Sequence, residues 1–264
     1  MKNLILLSIS IVSHGHQNFV QSLIKDLVRI GRKDMEVILT WNLENEKIEF
    51  AQENLPFKLK VICNNVPKGF AENHNAAFRA SSGANFVILN PDISLTADPF
   101  PALLQVIKEN DPAICAPLIT DAENQREDSA RHFPSPFSLV KKAFAKMFGI
   151  RTEIDKVPET ENTYHPDWIA GMFMVIPRNV FVKLNGLHER YHLYYEDVDF
   201  CARARCNGIK ILVCKKASAI HHAQRKSHRS LRFFKWHLQS ATKFFLSSAY
   251  LRLMLNRIFS DTQI

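Results

Sequence analysis

The chain has 264 residues, 46% apolar and 23% charged, the composition of an ordinary globular protein with one large domain or one domain and an appendage. Its formal net charge of +8 is segregated: residues 201–264 hold 13 Lys and Arg against one acid, Asp261, while residues 1–200 hold 21 basic and 25 acidic residues. No run reaches the 18 or more apolar residues of a membrane-spanning helix. Five cysteines without a Cys-x-x-Cys pair (Cys63, Cys115, Cys201, Cys206, Cys214) read as free thiols of a reducing compartment, so a cytoplasmic protein is expected.

The N-terminal "MKNLILLSISIV" has a short apolar part, one lysine and no small-residue cleavage site behind it. It reads as a first buried strand over 4–12 rather than a signal peptide. Phe19, Leu23, Leu27 and Ile30 then follow at close to helical spacing. Strands are predicted at "MEVILT" (35–40), "KLKVIC" (58–63) and "NFVILN" (85–90), with a helix over 69–83 ending at Gly83 between the last two. A helix from about Asp98 to Glu109 and the short strand "AICAP" come next. Such alternation predicts an α/β fold with a Rossmann-like, mostly parallel central sheet flanked by helices.

Regularity breaks over about 118–166, where polar, proline-spotted stretches surround the helical "FSLVKKAFAKMF" (137–148). An insertion of this length is a mobile functional loop or surface decoration. The strand-like "WIAGMFMVIP" (168–177) resumes the core, a helix starts near Pro177, and the strands "IKILVC" and "SAIHH" close it.

Three groups could carry chemistry. Asp92 ends the apolar run "FVILNPD", at the carboxyl end of a strand, where open α/β sheets place ligands, although Asn-Pro-Asp is also ordinary turn chemistry. Glu196, Asp197 and Asp199 lie in "YYEDVDF" behind Tyr191, Tyr194 and Tyr195. They are either helix-start carboxylates or acids whose pKa an apolar wall raises toward that of a useful base. His221 and His222 end the last strand, followed by Arg225 and Lys226. A strand histidine is usually a packed residue, yet with Asp92 it could bind a divalent ion that shares phosphate oxygens, and the two cations could pair with those oxygens. "SHGHQNF" lacks the glycines and lysine of a phosphate-binding Walker loop.

Taken in order, "SIVSHGH", "NNVPKGFAENHNAAF", "LNPDISL", "DWIAGMFMVIPRNVF" and "GLHERYHLYYEDVDFCAR" with "HH" beyond resemble glycosyltransferase family 2, which has the GT-A fold. The likeness runs over about residues 4–228 and is strongest to bacterial rhamnosyltransferase-like members. It implies that "NPD" stands for the family's DxD motif, with Asp92 binding Mg²⁺ or Mn²⁺ and the donor diphosphate, and Asn90 replacing the first acid. It further implies Asp197 as catalytic base with Glu196 and Asp199 in support, and His221, or the adjacent His222, as a further metal ligand. Ser13, His14 and Asn75 fall where relatives hold the nucleotide; Arg225 is placed with them on the donor side by its charge alone. Trp168 and Gly171 match the acceptor-side stretch, with Tyr195 next to the acids. Relatives often carry an Asp-Asn-x-Ser loop that reads the donor base; here "LTWNLEN" leaves Trp41 and Asn42 in its place.

The resemblance implies an inverting, metal-dependent transferase. It would move a sugar, rhamnose or another deoxyhexose, from a dTDP-, UDP- or GDP-sugar to a hydroxyl of a growing, lipid-linked bacterial surface glycan. The rival expectation is a non-catalytic protein of the same fold that binds a nucleotide sugar or a partner. Residues 1–222 would form the GT-A domain and 223–264 a basic amphipathic helical segment. Its Phe233, Phe234, Trp236, Phe244, Phe245 and Leu251 suit either an anionic membrane surface at the inner face of the cell membrane or packing on the core. Nucleic acid is not expected, since the basic stripe is confined to the tail and no RNA- or DNA-binding module accompanies it.

Overall fold

The structure is a computed structural model describing residues 5–46, 48, 50, 54–148, 157, 161–222 and 231–261. In chain order it comprises β1 (Leu7–Ser13), α1 (Gln17–Ile30), β2 (Met35–Trp41), β3 (Lys58–Cys63), α2 (Phe70–Ala80), β4 (Asn85–Leu89), β5 (Ile93–Ser94), α3 (Phe100–Glu109) and β6 (Ala113–Thr120). These are followed by β7 (Ala130–Arg131), α4 (Pro136–Met147), β8 (Thr163–Tyr164), β9 (Trp168–Ile169), β10 (Phe173–Pro177), α5 (Arg178–Lys183), α6 (Glu196–Cys206), β11 (Lys210–His221), α7 (Leu231–Phe245) and α8 (Ser248–Asp261).

Among the described residues one sheet runs β3-β2-β1-β4-β10-β6-β11-β5, with β8 pairing on β11. The pairs β1–β2, β2–β3, β1–β4 and β6–β11 are parallel, as the alternating pattern predicts. Strand β10 is the exception: it lies between β4 and β6 and runs antiparallel to both. It belongs to a longer stretch expected as one strand. Ala170–Met172 instead leave the ladder, separating β9, which pairs with β7, from the buried β10. Likewise "IKILVC" and "SAIHH" form one strand, β11, with a bulge between Cys214 and Ser218 that lets it reach from β6 to β5.

Every residue of β2, β4 and β10 is buried, because helices cover both faces of the central sheet. On one side Val20, Leu23, Ile24 and Leu27 of α1 pack with Phe100, Leu103 and Val106 of α3. On the other, Ala71 and Ala77 of α2 meet Phe181 of α5 and Phe200 of α6. Gly83 enters β4 with no room for a side chain: a Cβ there would lie 2.6 Å from Ser8 Oγ and 2.8 Å from Ser8 N. Since backbone cannot move aside as a flexible side chain does, Gly83→Ala is expected to destabilise the fold by about 2–3 kcal/mol, readable as a lower denaturant midpoint.

The tail is part of this body. Phe244 is fully buried, Ala241, Ala249 and Tyr250 nearly so, and Ser240 Oγ donates to Leu193 O (2.9 Å) while Lys243 Nζ donates to Arg190 O (2.7 Å). Of the two roles open to its aromatics, packing on the core is the one that Phe244 and Tyr250 fulfil. No described helix is long and apolar enough to cross a membrane.

Candidate active site

The turn after β4 is held from both sides. Asn90 N donates to Met172 O (2.8 Å) and Ile93 N to Asn90 O (3.3 Å), so Asp92 is fixed between β4 and β5. Strand β5 then pairs antiparallel with the end of β11, placing Ile93 opposite His221, and His222 N donates to Asp92 O (2.8 Å). This edge pairing brings Asp92 Oδ2 to 3.4 Å from His221 Nε2. His222 turns elsewhere, to Ser94 Oγ (2.9 Å) and the ring of Phe19. Of the two histidines, His221 is the one that meets Asp92.

The other face of His221 meets a residue that the sequence did not single out. Glu127 Oε2 contacts His221 Nδ1. It arrives there because Asp121 Oδ1 accepts from Glu123 N and Gln125 N, folding the start of the insertion back so that Glu127 N donates to Ile119 O (2.9 Å). Burial disfavours a charged His221, but Asp92 and Glu127 outweigh it and raise the pKa to about 9. Asp92 Oδ1 is buried with no hydrogen-bond partner. Among the described residues no three His, Cys, Asp or Glu side chains converge on one point. The residues nevertheless fit a divalent cation that completes its shell with ligand oxygens: a carboxylate with an unused oxygen, an imidazole, and a carboxylate behind that imidazole. The proton on His221 is the charge such a cation would replace.

The acidic group is reached through a strained turn. Tyr194 and Tyr195 both adopt left-handed backbone, φ 68° and 67°, immediately before α6 opens at Glu196. Non-glycine residues pay about 1–3 kcal/mol each for this, and such strain concentrates at functional sites. Asp197 Oδ2 accepts from Gly171 N (3.0 Å) and its Oδ1 from Val198 N (2.8 Å). A Cβ on Gly171 would press on the Phe70 ring at 3.0 Å, while Asp197 Cβ, at 3.6 Å, would stay at ordinary contact distance. The amide of Gly171 thus holds Asp197, and the carbonyl of the next residue, Met172, holds the turn of Asp92. Adjacent residues between β9 and β10 hold the turn of Asp92 and the carboxylate of Asp197.

Asp197 is ringed by protein, although part of its surface stays exposed, and burial raises its pKa against the pull of the Gly171 and Val198 amides. Glu196 is buried, its Oε2 has no partner, and burial together with the charge of Asp197 pushes its pKa well above the ordinary carboxylate value. The arrangement favours one proton on Glu196 and a single negative charge on Asp197.

Asp199 is different. It is fully buried, yet His188, Arg190, Tyr191 and Arg203 surround it at 2.8–3.1 Å and hold its carboxyl well below the usual range despite burial. Expected among the catalytic acids, it is instead the anchor of the 184–191 loop, which Arg203 also grips through Leu184 O and Gly186 O. Asp199→Ala should cost about 3–5 kcal/mol, chiefly by leaving the largely buried guanidinium of Arg203 without its carboxylate. A lowered melting temperature would report this, whereas a catalytic role would lower turnover at unchanged stability.

The donor-side residues divide similarly. Ser13 ends β1 and its Oγ accepts from His16 N, and His14 beside it is exposed. Asn42 is buried and fully engaged: it contacts His14 Nδ1 and Lys68 O through Nδ2 and accepts from Asn64 Nδ2 and Lys68 N. It therefore positions His14 and the 64–68 loop. Asn75 points toward the Leu187–Glu189 loop, bonding Leu187 O, Leu187 N and Glu189 Oε1, while its neighbour His74 faces β1 through Ser10 Oγ. Helical rotation separates adjacent residues by about 100° and leaves Asn75 in a structural bridge. Glu46, unforeseen from sequence, is buried with neither carboxylate oxygen bonded, and a Cβ on Gly15 would lie 3.3 Å from its Oε1. Arg225 and Lys226 lie outside the described residues.

On the acceptor side, Trp168 is partly exposed, its Nε1 donating to His132 O (3.0 Å). Tyr195 is buried instead, its ring 5.6 Å from that of Phe244 and 5.3 Å from His237, so it props the tail.

The sheet order, the acid at the end of β4 and the acids opening α6 define a GT-A-type nucleotide-sugar transferase. The profile of Glycosyl transferase family 2 matches residues 8–176, and the chain belongs to that family, which makes it a glycosyltransferase. It is 27% identical to "Rhamnosyltransferase WbbL" of Escherichia coli (strain K12), over 95% of this chain and 96% of that protein. It is 28% identical to the "N-acetylglucosaminyl-diphospho-decaprenol L-rhamnosyltransferase" of Mycobacterium tuberculosis (strain CDC 1551 / Oshkosh), over 54% of this chain and 48% of that protein. Among solved structures it resembles GalNAc-T7 with UDP, GalNAc and Mn²⁺ at a TM-score of 0.61 and 16% identity, over 93% of this chain and 48% of that one, a likeness of fold.

Proposed function

We propose that this glycosyltransferase moves rhamnose or another deoxyhexose from a nucleotide sugar to a hydroxyl of a lipid-linked bacterial surface glycan, with inversion, at the inner face of the membrane. The observation that supports the reading most is that Met172 O holds Asn90 N in the turn of Asp92 while Gly171 N holds Asp197, as expected if one acid serves the phosphate side and the other accepts a proton. The full-length likeness to a rhamnosyltransferase supports the sugar, and the name of the mycobacterial relative supports the lipid-linked acceptor.

The chemistry follows from the environments. Asp197 takes the proton of the acceptor hydroxyl as that oxygen attacks the anomeric carbon, and the bond to the nucleoside diphosphate oxygen breaks on the opposite face. A single displacement inverts the centre. A Mg²⁺ or Mn²⁺ held by Asp92 and His221 would neutralise charge developing on the leaving diphosphate. Glu196, kept neutral, spares Asp197 a second charge beside it.

Because burial raises Asp197, kcat/KM should decline on the acid side with an apparent pKa above the ordinary carboxylate value of about 4. A pH–rate profile with a saturating donor checks this. The class assignment is tested with dTDP-, UDP- and GDP-sugars in the presence of Mn²⁺ or Mg²⁺. Nucleoside diphosphate release from one donor, abolished by a chelator, is the expected result. Donor binding without transfer to any polyprenyl-diphosphate-linked sugar would favour a binding protein of the same fold.

A further inference from the structure

Helix α4, in the insertion, turns an apolar stripe outward. Phe137, Val140, Phe144 and Phe148 are 69%, 52%, 57% and 69% exposed, at spacings of three and four residues that align them along one face about 16 Å long. The opposite side faces the protein: Ser138 is buried, and Leu139 packs on the cluster that holds Phe133 and Phe244. This is the reverse of a helix placed to fill a core. Isolated exposed apolar residues need no account, but four aligned ones do.

The charge beside the stripe selects its partner. Residues 136–148 contain Lys141, Lys142 and Lys146 and no acid, whereas Arg131 before them is paired with Asp128. Lys141 lies along the stripe, with its Nζ 5.1 Å from the centre of the Phe137 ring. An apolar face with Lys141 at its edge matches the boundary of an anionic bilayer, where the rings enter the acyl region and the ammonium group stays with the phosphates. The stripe is also linked to the site: His132 O holds Trp168 Nε1, and Asp167 Oδ2 accepts from Phe133 N, three residues before α4 begins.

We infer that α4 is the membrane-docking element of this protein, seating the Trp168 side of the site on an anionic phospholipid surface. The inference rests on the proposed lipid-linked acceptor and says which surface meets the membrane: the outward stripe of α4 rather than the tail, whose Phe244 and Tyr250 pack on the core although Leu238, Leu251 and Leu255 are exposed.

The test is co-sedimentation of the full chain with vesicles of phosphatidylcholine containing phosphatidylglycerol, and of phosphatidylcholine alone. Wild-type protein should bind the anionic vesicles. F137S/F144S should weaken that binding at least about tenfold at an unchanged melting temperature, since these side chains support no core. K141E should weaken it on anionic vesicles only. Equal binding of wild type and F137S/F144S overturns the inference, as does loss of binding in L251S/L255S of α8 with the α4 variant unaffected. A stripe variant that dissolves a dimer, by light scattering, while vesicle binding persists also overturns it and assigns the face to a second copy. Transfer to a polyprenyl-diphosphate-linked sugar in detergent micelles is read separately: its absence refutes the acceptor, whereas its presence in F137S/F144S with vesicle binding lost is the result expected here.

Discussion

Asp197→Asn should lower kcat by about 10²–10⁴-fold, the range for loss of a positioned general base, while donor affinity stays near wild type. The substitution is nearly isosteric, so one of the two amides that now bind the carboxylate, Gly171 N or Val198 N, keeps an acceptor. What is lost is the ability to take a proton. Glu196 supplies an internal check, because the negative charge of Asp197 is part of what raises its pKa. Removing that charge should let Glu196 ionise at lower pH, yet Glu196 should not replace the base, since its lone Oε2 is buried. Single-turnover kinetics beside donor calorimetry would separate the effects. Turnover within tenfold of wild type would move the base elsewhere.

The second large effect is expected at the phosphate side. Asp92→Ala removes the orphaned Oδ1 and the partner of His221 Nε2 together. Metal-dependent donor affinity should fall at least about tenfold, and kcat/KM by about 10²–10³-fold, because charge on a leaving diphosphate is expensive when nothing opposes it. Calorimetry with the donor and Mn²⁺, repeated with a chelator, would show wild-type binding that depends on metal and variant binding that is weak under both conditions. Glu127→Gln should give a milder loss of the same kind, since it orients His221 without replacing it. Unaltered metal-dependent binding in Asp92→Ala would place the diphosphate elsewhere.

The alternation of buried runs and amphipathic stretches was enough to find most of the strands and helices and to expect a mostly parallel sheet, since a strand covered on both faces must be apolar throughout and a covering helix must repeat near 3.6 residues. Asp92 stood out because it ends an apolar run, where a charge needs an explanation, whereas the role expected of Asp197 came from the family resemblance. Position along the chain says nothing, however, about which strand lies next to which. The antiparallel entry of β10 and the pairing of β5 with β11 were fixed by tertiary packing, and with them the meeting of Asp92, His221 and Glu127. Neighbouring polar residues also divide their roles by direction alone. Asp199 turns into an Arg-rich pocket, while Asp197 two positions earlier is held by Gly171, and Asn75 bridges a loop while His74 faces β1. The tail and α4 show the same limit. Phe244 and Tyr250 of the tail dock onto the core, whereas Phe137 and Phe144 of α4, like Leu238 and Leu251 of the tail, stay outside, and no pattern in the sequence tells these positions apart. An amphipathic period specifies that a face will be buried; the partner that buries it is decided by the rest of the molecule.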